Sequence, residues 1–114
     1  MKKDLSVDFE IGFADSCIQS YFVKDNDLTL LLECWNAVVL EIKFLNFASV
    51  FAMNYFRIAD IKEVFRSPLL DRVLDELYEE KPKKHEFRVF KFLNSNDMTA
   101  LEVVCEGIKI SYQA

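Results

Sequence analysis

The feature that most constrains the fold of this chain is the alternation of apolar and charged residues in segment 37–45. Apolar side chains stand at every second position, at Val38, Leu40, Ile42 and Phe44. Glu41 and Lys43 lie between them. Successive side chains of a β-strand point to opposite faces of a sheet. The pattern therefore predicts a strand with one buried face and one face in water.

Strand signals recur along most of the chain. We predict further strands over 16–23, 28–35, 46–56, 86–93, 98–105 and 108–112. Segment 46–56 is either a strand, which its β-branched and aromatic residues favour, or a helix, which would suit Ala48, Ala52 and Met53. Polar turns at 24–27, 94–97 and 106–107 join several of them, and the first of these turns predicts a hairpin. Residues 1–15 also alternate, which predicts either a peripheral strand or a tail held by aromatic side chains. Segment 58–65 is expected to contain a short helical turn.

One amphipathic helix is predicted over about 68–80. Ser67 is a preferred residue just before a helix, and Pro68 is tolerated at its first position because the missing N–H would have no partner there. The apolar residues that follow recur at spacings of three and four, at Leu70, Val73, Leu74 and Leu77. Pro82 is expected to stop the helix.

These elements predict an α+β fold. Strands joined by short turns pair with their neighbours in most proteins, so we expect a curved, antiparallel β-sheet meander with the helix packed on one face. The 114 residues are expected to form a single globular domain over 1–114. Apolar residues make up 52% of the chain, which is enough to build a core without disulfides or metals.

The residues that usually perform catalysis or bind metals are scarce. His85 is the only histidine, and it stands in a charged run where an exposed loop is expected. Cys17, Cys34 and Cys105 are far apart and lie in apolar segments, which is typical of reduced cysteines inside a protein core. The two glycines, Gly12 and Gly107, cannot build a phosphate-binding loop. We therefore predict no catalytic residues, no metal site and no cofactor.

The charge of the chain bears on its partners. A net charge of −5 disfavours binding to nucleic acids and to anionic membranes, because both repel an acidic surface. It is compatible with a basic protein partner. The odd number of scattered cysteines indicates a reducing compartment, so a cytoplasmic location is expected.

Five residues are candidates for partner binding. Asp71, Asp75 and Glu79 follow one another at intervals of four and would share one face of the predicted helix, next to Glu76. The face would then be either an acidic docking patch or an ordinary solvated surface. Trp35 stands beside a turn, where it would be either an interface residue or part of the core edge.

Three sequence features carry a resemblance to a known group of proteins. They are the hairpin segments 30–35 and 38–44, the helix with Ser67-Pro68-Leu69-Leu70 at its start and Leu77-Tyr78-Glu79-Glu80 at its end, and the strand pair 90–93 and 101–106. Together they resemble small bacterial immunity proteins of polymorphic, contact-dependent toxin systems. The resemblance implies an α+β binding protein that neutralises a cognate toxin in the cytoplasm and performs no reaction. It does not identify the toxin or the contact residues.

A second hypothesis remains open at this point. A curved sheet covered by one helix can enclose an apolar cavity, so the chain could be a small-molecule-binding domain or a small enzyme with a pocket between helix and sheet. Acidic residues would then supply acid–base groups in place of histidine. A third alternative is a subunit of a larger assembly, which an exposed Phe on an edge strand would support.

Overall fold

A computed structural model of the chain describes residues 5–7, 9, 11–53, 57–80, 82 and 84–113. Its elements in chain order are β1 (Leu5–Ser6), β2 (Ser16–Lys24), β3 (Asp27–Glu33), β4 (Val39–Leu45), β5 (Ser49–Ala52), β6 (Arg57–Ile58), β7 (Asp60–Val64), α1 (Pro68–Leu77), β8 (Arg88–Leu93), β9 (Thr99–Cys105) and β10 (Gly107–Tyr112). The α+β class and the antiparallel pairing of the strands are confirmed, and a single helix in the described residues packs against them.

The strands form two five-stranded sheets rather than one. Sheet A has the order β1-β7-β8-β9-β5, and sheet B has the order β10-β4-β3-β2-β6. The chain passes from sheet A to sheet B between β1 and β2, between β5 and β6, and between β9 and β10. It passes from sheet B to sheet A between β4 and β5 and between β6 and β7.

The main core lies between the two sheets. Sheet B contributes Leu28, Leu30, Leu32, Leu40, Ile42 and Phe44, and sheet A contributes Ile61, Phe90, Phe92, Leu101, Val103 and Cys105. The ring of Phe44 lies 6.0 Å from that of Phe90 and 5.9 Å from that of Phe92, measured between ring centroids. The alternation in segment 37–45 thus places its apolar side chains in this core, as predicted.

The helix covers the opposite face of sheet A. Leu70, Val73 and Leu74 of α1 form a second apolar cluster with Val64, Val89 and Val104 of β7, β8 and β9. Val103 and Val104 are neighbours in β9 and enter different clusters, because successive residues of a strand face opposite ways. The protein therefore has three layers, in the order sheet B, sheet A and helix.

Some local predictions are wrong. The helix ends at Leu77, three residues before Glu80, and Tyr78 has an extended backbone. Its last turn contains no basic residue, so nothing there offsets the negative end of the helix dipole. Segment 58–65 contains strand residues in place of a helical turn, because β7 occupies the position between β1 and β8.

The last strand also pairs differently from the expectation. β10 pairs with β4 and not with its sequence neighbour β9. The amide of Glu106, between β9 and β10, donates to the carbonyl of Leu45 at 2.9 Å, which directs the chain into sheet B.

The predicted hairpin of β2 and β3 is present. Residues 54–56, at the end of the predicted strand 46–56, lie outside the described residues, and the observed strand β5 covers Ser49–Ala52.

The N-terminal segment pairs only briefly with a sheet. Leu5 and Ser6 pair with Glu63 and Lys62 of β7, and the amide of Val7 donates to a sheet A carbonyl at 2.9 Å. The apolar side chains that follow, Val7, Phe9, Ile11 and Phe13, pack against the main core. The predicted alternatives, a peripheral strand and a tail held by aromatic residues, both apply to parts of this segment.

Candidate protein-binding surface

The start of α1 is fixed by a buried hydroxyl group. Ser67 Oγ accepts hydrogen bonds from the amides of Leu69 at 3.1 Å and Leu70 at 3.2 Å, which gives the first turn its cap. The same hydroxyl bonds to the carboxylate of Glu102 in β9. Lys91 Nζ lies 3.8 Å from the other carboxylate oxygen of Glu102. The helix start is thus anchored to the outer face of sheet A.

This anchor determines which face of the helix is exposed. Since the apolar residues face the valines of sheet A, the charged residues Asp71, Arg72, Asp75 and Glu76 lie on the solvent side. Asp71 stands in the first turn, where a negative charge is favoured by the helix dipole. Asp75 and Glu76 stand near the C-terminal end of the helix, where the helix dipole disfavours a negative charge.

The end of α1 combines acidic and apolar exposure. Asp75, Glu76, Glu79 and Glu80 flank the exposed residues Leu77 and Tyr78 in sequence, and we call these six residues the acidic helix end. A carboxylate at the negative end of a helix generally opposes its folding by a few tenths of a kcal/mol. An exposed Tyr side chain within such a group is typical of surfaces that contact proteins.

The structure brings together only some of the predicted partner-binding residues. Asp71, Asp75 and Glu76 share the exposed side of α1, but Glu79 follows the end of the helix and does not continue that face. Trp35 lies in the turn after β3 of sheet B, two layers away from α1. Its ring is 65% exposed, and its Nε1 donates to the carbonyl of Ile11 at 3.3 Å. Trp35 thus contacts the N-terminal segment and belongs to a separate surface.

The only histidine is exposed, as expected. Its Nδ1 accepts a hydrogen bond from the amide of Phe87 at 3.2 Å. Among the described residues, no group of three or more His, Cys, Asp or Glu side chains is placed to hold a metal ion. In the same part of the chain, no helix is long and apolar enough to cross a membrane.

Apolar side chains of the helix and of sheet A pack against each other, and an open groove lies beside them. This groove, of about 590 Å³, lies beside α1 and is lined among others by Glu63, Lys84, His85 and Arg88. Two hydrogen bonds of 2.9 Å join Arg88 to the Glu63 carboxylate, which raises the pKa of the guanidinium. This ion pair holds the Arg88 guanidinium and the Glu63 carboxylate together in the wall of the groove.

The cysteines differ in their access to solvent. Burial raises the pKa of Cys105 to about 12 and also raises the pKa of Cys34, where the neighbouring Ser16 hydroxyl opposes the effect. Cys17 is only partly buried. Since the thiolate is the reactive form, burial suppresses the chemistry of two of the three thiols.

We expect alkylation of the native protein at pH 8 to label Cys17 and to leave Cys34 and Cys105 unmodified. Unfolding in urea should expose all three thiols to the reagent, because it removes the burial that holds two of them protonated. Peptide mass spectrometry of the labelled protein measures this directly. Rapid native labelling of Cys105 would contradict the packing of β9 between the two apolar clusters.

Sequence reasoning missed two features of these surfaces. The buried carboxylate of Glu102 could not be distinguished from an exposed one, since charged residues alternate with apolar ones in any half-exposed strand. The exposed residues Tyr21, Phe22 and Val23 were assigned to a strand without comment on their exposure. A signal was present, because consecutive apolar residues on a strand place apolar side chains on both faces.

Comparison with known proteins gives no match: no protein-family model, no curated protein and no solved structure is significantly similar to this chain.

Proposed function

We propose that this protein binds another protein without catalysing a reaction, and that it acts as an immunity protein that neutralises a cognate bacterial toxin in the cytoplasm. The acidic helix end carries this proposal. It combines four acidic residues with the exposed neighbours Leu77 and Tyr78, next to the end of the helix where negative charge opposes helix stability. A group of residues that conflicts with its local structure is often retained for function.

The chemistry of the acidic helix end suggests a basic partner. Proteins that act on nucleic acids present basic surfaces to bind phosphates, and a cluster of carboxylates can occupy such a surface in place of the nucleic acid. Charge complementarity of this kind accelerates association and disfavours incorrect partners. Tyr78 and Leu77 would supply the apolar contacts that charges alone do not provide. The proposed toxin is therefore one with a basic active site.

We expect the double variant Glu76→Lys/Glu79→Lys to lose binding while keeping or gaining stability. Reversing the charges should weaken the affinity for the partner by about tenfold or more, which corresponds to about 1.4 kcal/mol. A positive charge near the end of α1 should raise the free energy of unfolding by about 0.3–1 kcal/mol. The partner is first captured with the tagged protein from lysate of the source organism, and affinities are then measured by titration with the purified partner.

A matched control is Glu33→Lys/Glu41→Lys, which changes the net charge equally but lies in sheet B. Equal loss of affinity in both variants would show a general charge effect and contradict the proposed surface. The toxin itself is tested by expression: the captured partner alone should arrest growth, and co-expression with this protein should restore it. A partner that is harmless when expressed alone would contradict the immunity function.

The groove beside α1 favours a second candidate, a small-molecule-binding domain or small enzyme. Its lining combines Lys84, His85 and the Arg88–Glu63 ion pair with the apolar side chains of Phe87 and Leu70. A small molecule with both a polar and an apolar part would fit that chemistry. Native mass spectrometry of the purified protein distinguishes the two candidates, because a retained ligand would add a fixed mass to the intact chain.

A further inference from the structure

Strand β2 leaves one of its sides open. On one side it pairs with β3 along its length, with a register shift between Ile18 and Ser20. On the other side, β6 pairs only with Ser16 and Cys17. In the part of the chain that the structure describes, no strand lies beside the outer side of residues 21–24. We call residues 21–24 the open edge.

The pairing with β3 determines which backbone groups point outward. Lys24 pairs with Asp27 across a turn of only two residues, and a pair in that position must exchange its own N–H···O bonds. Hydrogen-bonded and non-hydrogen-bonded pairs alternate along an antiparallel ladder. Phe22 therefore bonds toward β3, whereas the N–H and C=O groups of Tyr21 and Val23 point to the open side.

The side chains of the open edge are also unusual for an exposed strand. Tyr21, Phe22 and Val23 are each about half exposed or more, and because they are consecutive they cover both faces of the strand. Exposed edges are normally protected by charged residues, and here Lys24 provides the single charge, at one end. Outward backbone donors and acceptors between apolar side chains match one kind of occupant, another β-strand.

The geometry points to the β2 strand of a second copy of this chain as that occupant, paired antiparallel about a two-fold axis at Phe22. In this register Tyr21 faces Val23 of the second copy, so the outward groups of both residues are all hydrogen-bonded. Phe22 faces itself as a non-hydrogen-bonded pair, with Cα atoms about 4.5 Å apart and the two rings in contact. Lys24 faces Ser20, so no like charges meet.

Neighbouring two-fold registers are less favourable. Centring the axis on Val23 would require Asp25 to pair as a strand residue, but Asp25 lies in the turn and has a φ of 57°. Centring it on Tyr21 would require Gln19 to pair, and Gln19 lies at the register shift. The turn and the shift therefore limit the interface to one short, self-complementary stretch and select a closed dimer over an open chain of molecules.

This dimer is independent of the proposed toxin binding. It would join two copies of sheet B into one ten-stranded sheet across the two-fold axis. A single short strand pair buries little surface, and interfaces below about 1,200 Å² belong to weak complexes. We therefore expect an equilibrium between monomer and dimer that depends on protein concentration.

Sedimentation velocity over a concentration series tests the proposal. The wild-type chain should shift from monomer toward dimer as its concentration rises to the millimolar range. Phe22→Lys should raise the dimer dissociation constant by roughly 100-fold, because two positive charges replace two packed rings at the axis. Phe51→Lys is the matched control, because Phe51 is 47% exposed and Phe22 is 49% exposed. It should leave the dimer dissociation constant unchanged, because Phe51 lies on an edge of sheet A and not on β2.

Disulfide formation tests the register. In a Cys17→Ser background, Phe22→Cys should form a disulfide-linked dimer under mild oxidation, because a Cα separation of about 4.5 Å is within disulfide range. Tyr21→Cys in the same background should not form a disulfide-linked dimer, because residue 21 faces Val23 of the second copy and not its own counterpart. A wild-type chain that remains monomeric throughout, a dimer that survives Phe22→Lys, or faster cross-linking by Tyr21→Cys would each overturn the proposal.

Discussion

Replacing Phe44 with Ala will lower the free energy of unfolding by about 3–5 kcal/mol. Phe44 is fully buried and lies between the two sheets, with its ring against those of Phe90 and Phe92. Its removal forfeits apolar burial and leaves a cavity that neither sheet can fill without moving. Because small domains are stable by only about 5–15 kcal/mol, a loss of this size brings the variant close to unfolding.

Urea unfolding monitored by circular dichroism measures the effect of Phe44→Ala. Phe44→Leu retains most of the volume and is expected to cost less than about 1.5 kcal/mol. Phe51→Ala serves as the exposed control, since its ring is half in solvent and its loss should change stability by less than about 1 kcal/mol. A cost for Phe44→Ala equal to that of Phe51→Ala would show that the two sheets do not share one core.

Replacing Ser67 with Ala will lower the free energy of unfolding by about 2–3 kcal/mol. One part of the loss is the helix cap, because the amides of Leu69 and Leu70 both bond to the Ser67 hydroxyl. The other part is the buried carboxylate of Glu102, which loses a hydrogen-bond donor. A surface-exposed cap would lose only the first part, about 1 kcal/mol.

Two further variants separate these parts. Ser67→Thr retains the hydroxyl and should cost least, whereas Ser67→Gly is tolerated as a cap but leaves Glu102 without its donor. Ser67→Gly should therefore be less destabilising than Ser67→Ala by about 1 kcal/mol. A double-mutant cycle of Ser67→Ala with Glu102→Gln measures the coupling between the two side chains. Zero coupling would mean that Ser67 stabilises only the helix.

Local sequence patterns predicted most of the elements but not the sheet to which each belongs. The alternation in 37–45 and the polar turn at 24–27 depend on neighbours in sequence, and both predictions agree with the structure. The pairing of β10 with β4 depends on residues some sixty positions apart, which no local pattern encodes. The strands of segment 58–65 were missed for the same reason, since β7 is held by partners on both sides.

The candidate surface was predicted in composition and only partly in geometry. Acidic residues with helical spacing are visible in the sequence, but Glu79 was placed on a helix that ends before it. Propensity does not fix the end of a helix, because packing against a sheet decides how many turns are stabilised. Trp35 is a candidate because of its residue type and its position beside a turn, but it follows β3 of sheet B and lies apart from α1.

The sequence by itself determined most of the strands, the hairpin, the capped start of α1 and the acidic character of its exposed face. These properties follow from side-chain periodicity, turn chemistry and charge, all of which act between near neighbours. Only the tertiary structure decided that the strands form two sheets, that Glu102 is buried beside Ser67 and that β2 keeps an open edge. Burial and strand pairing are set by residues distant in sequence, so they appear only when the chain is folded.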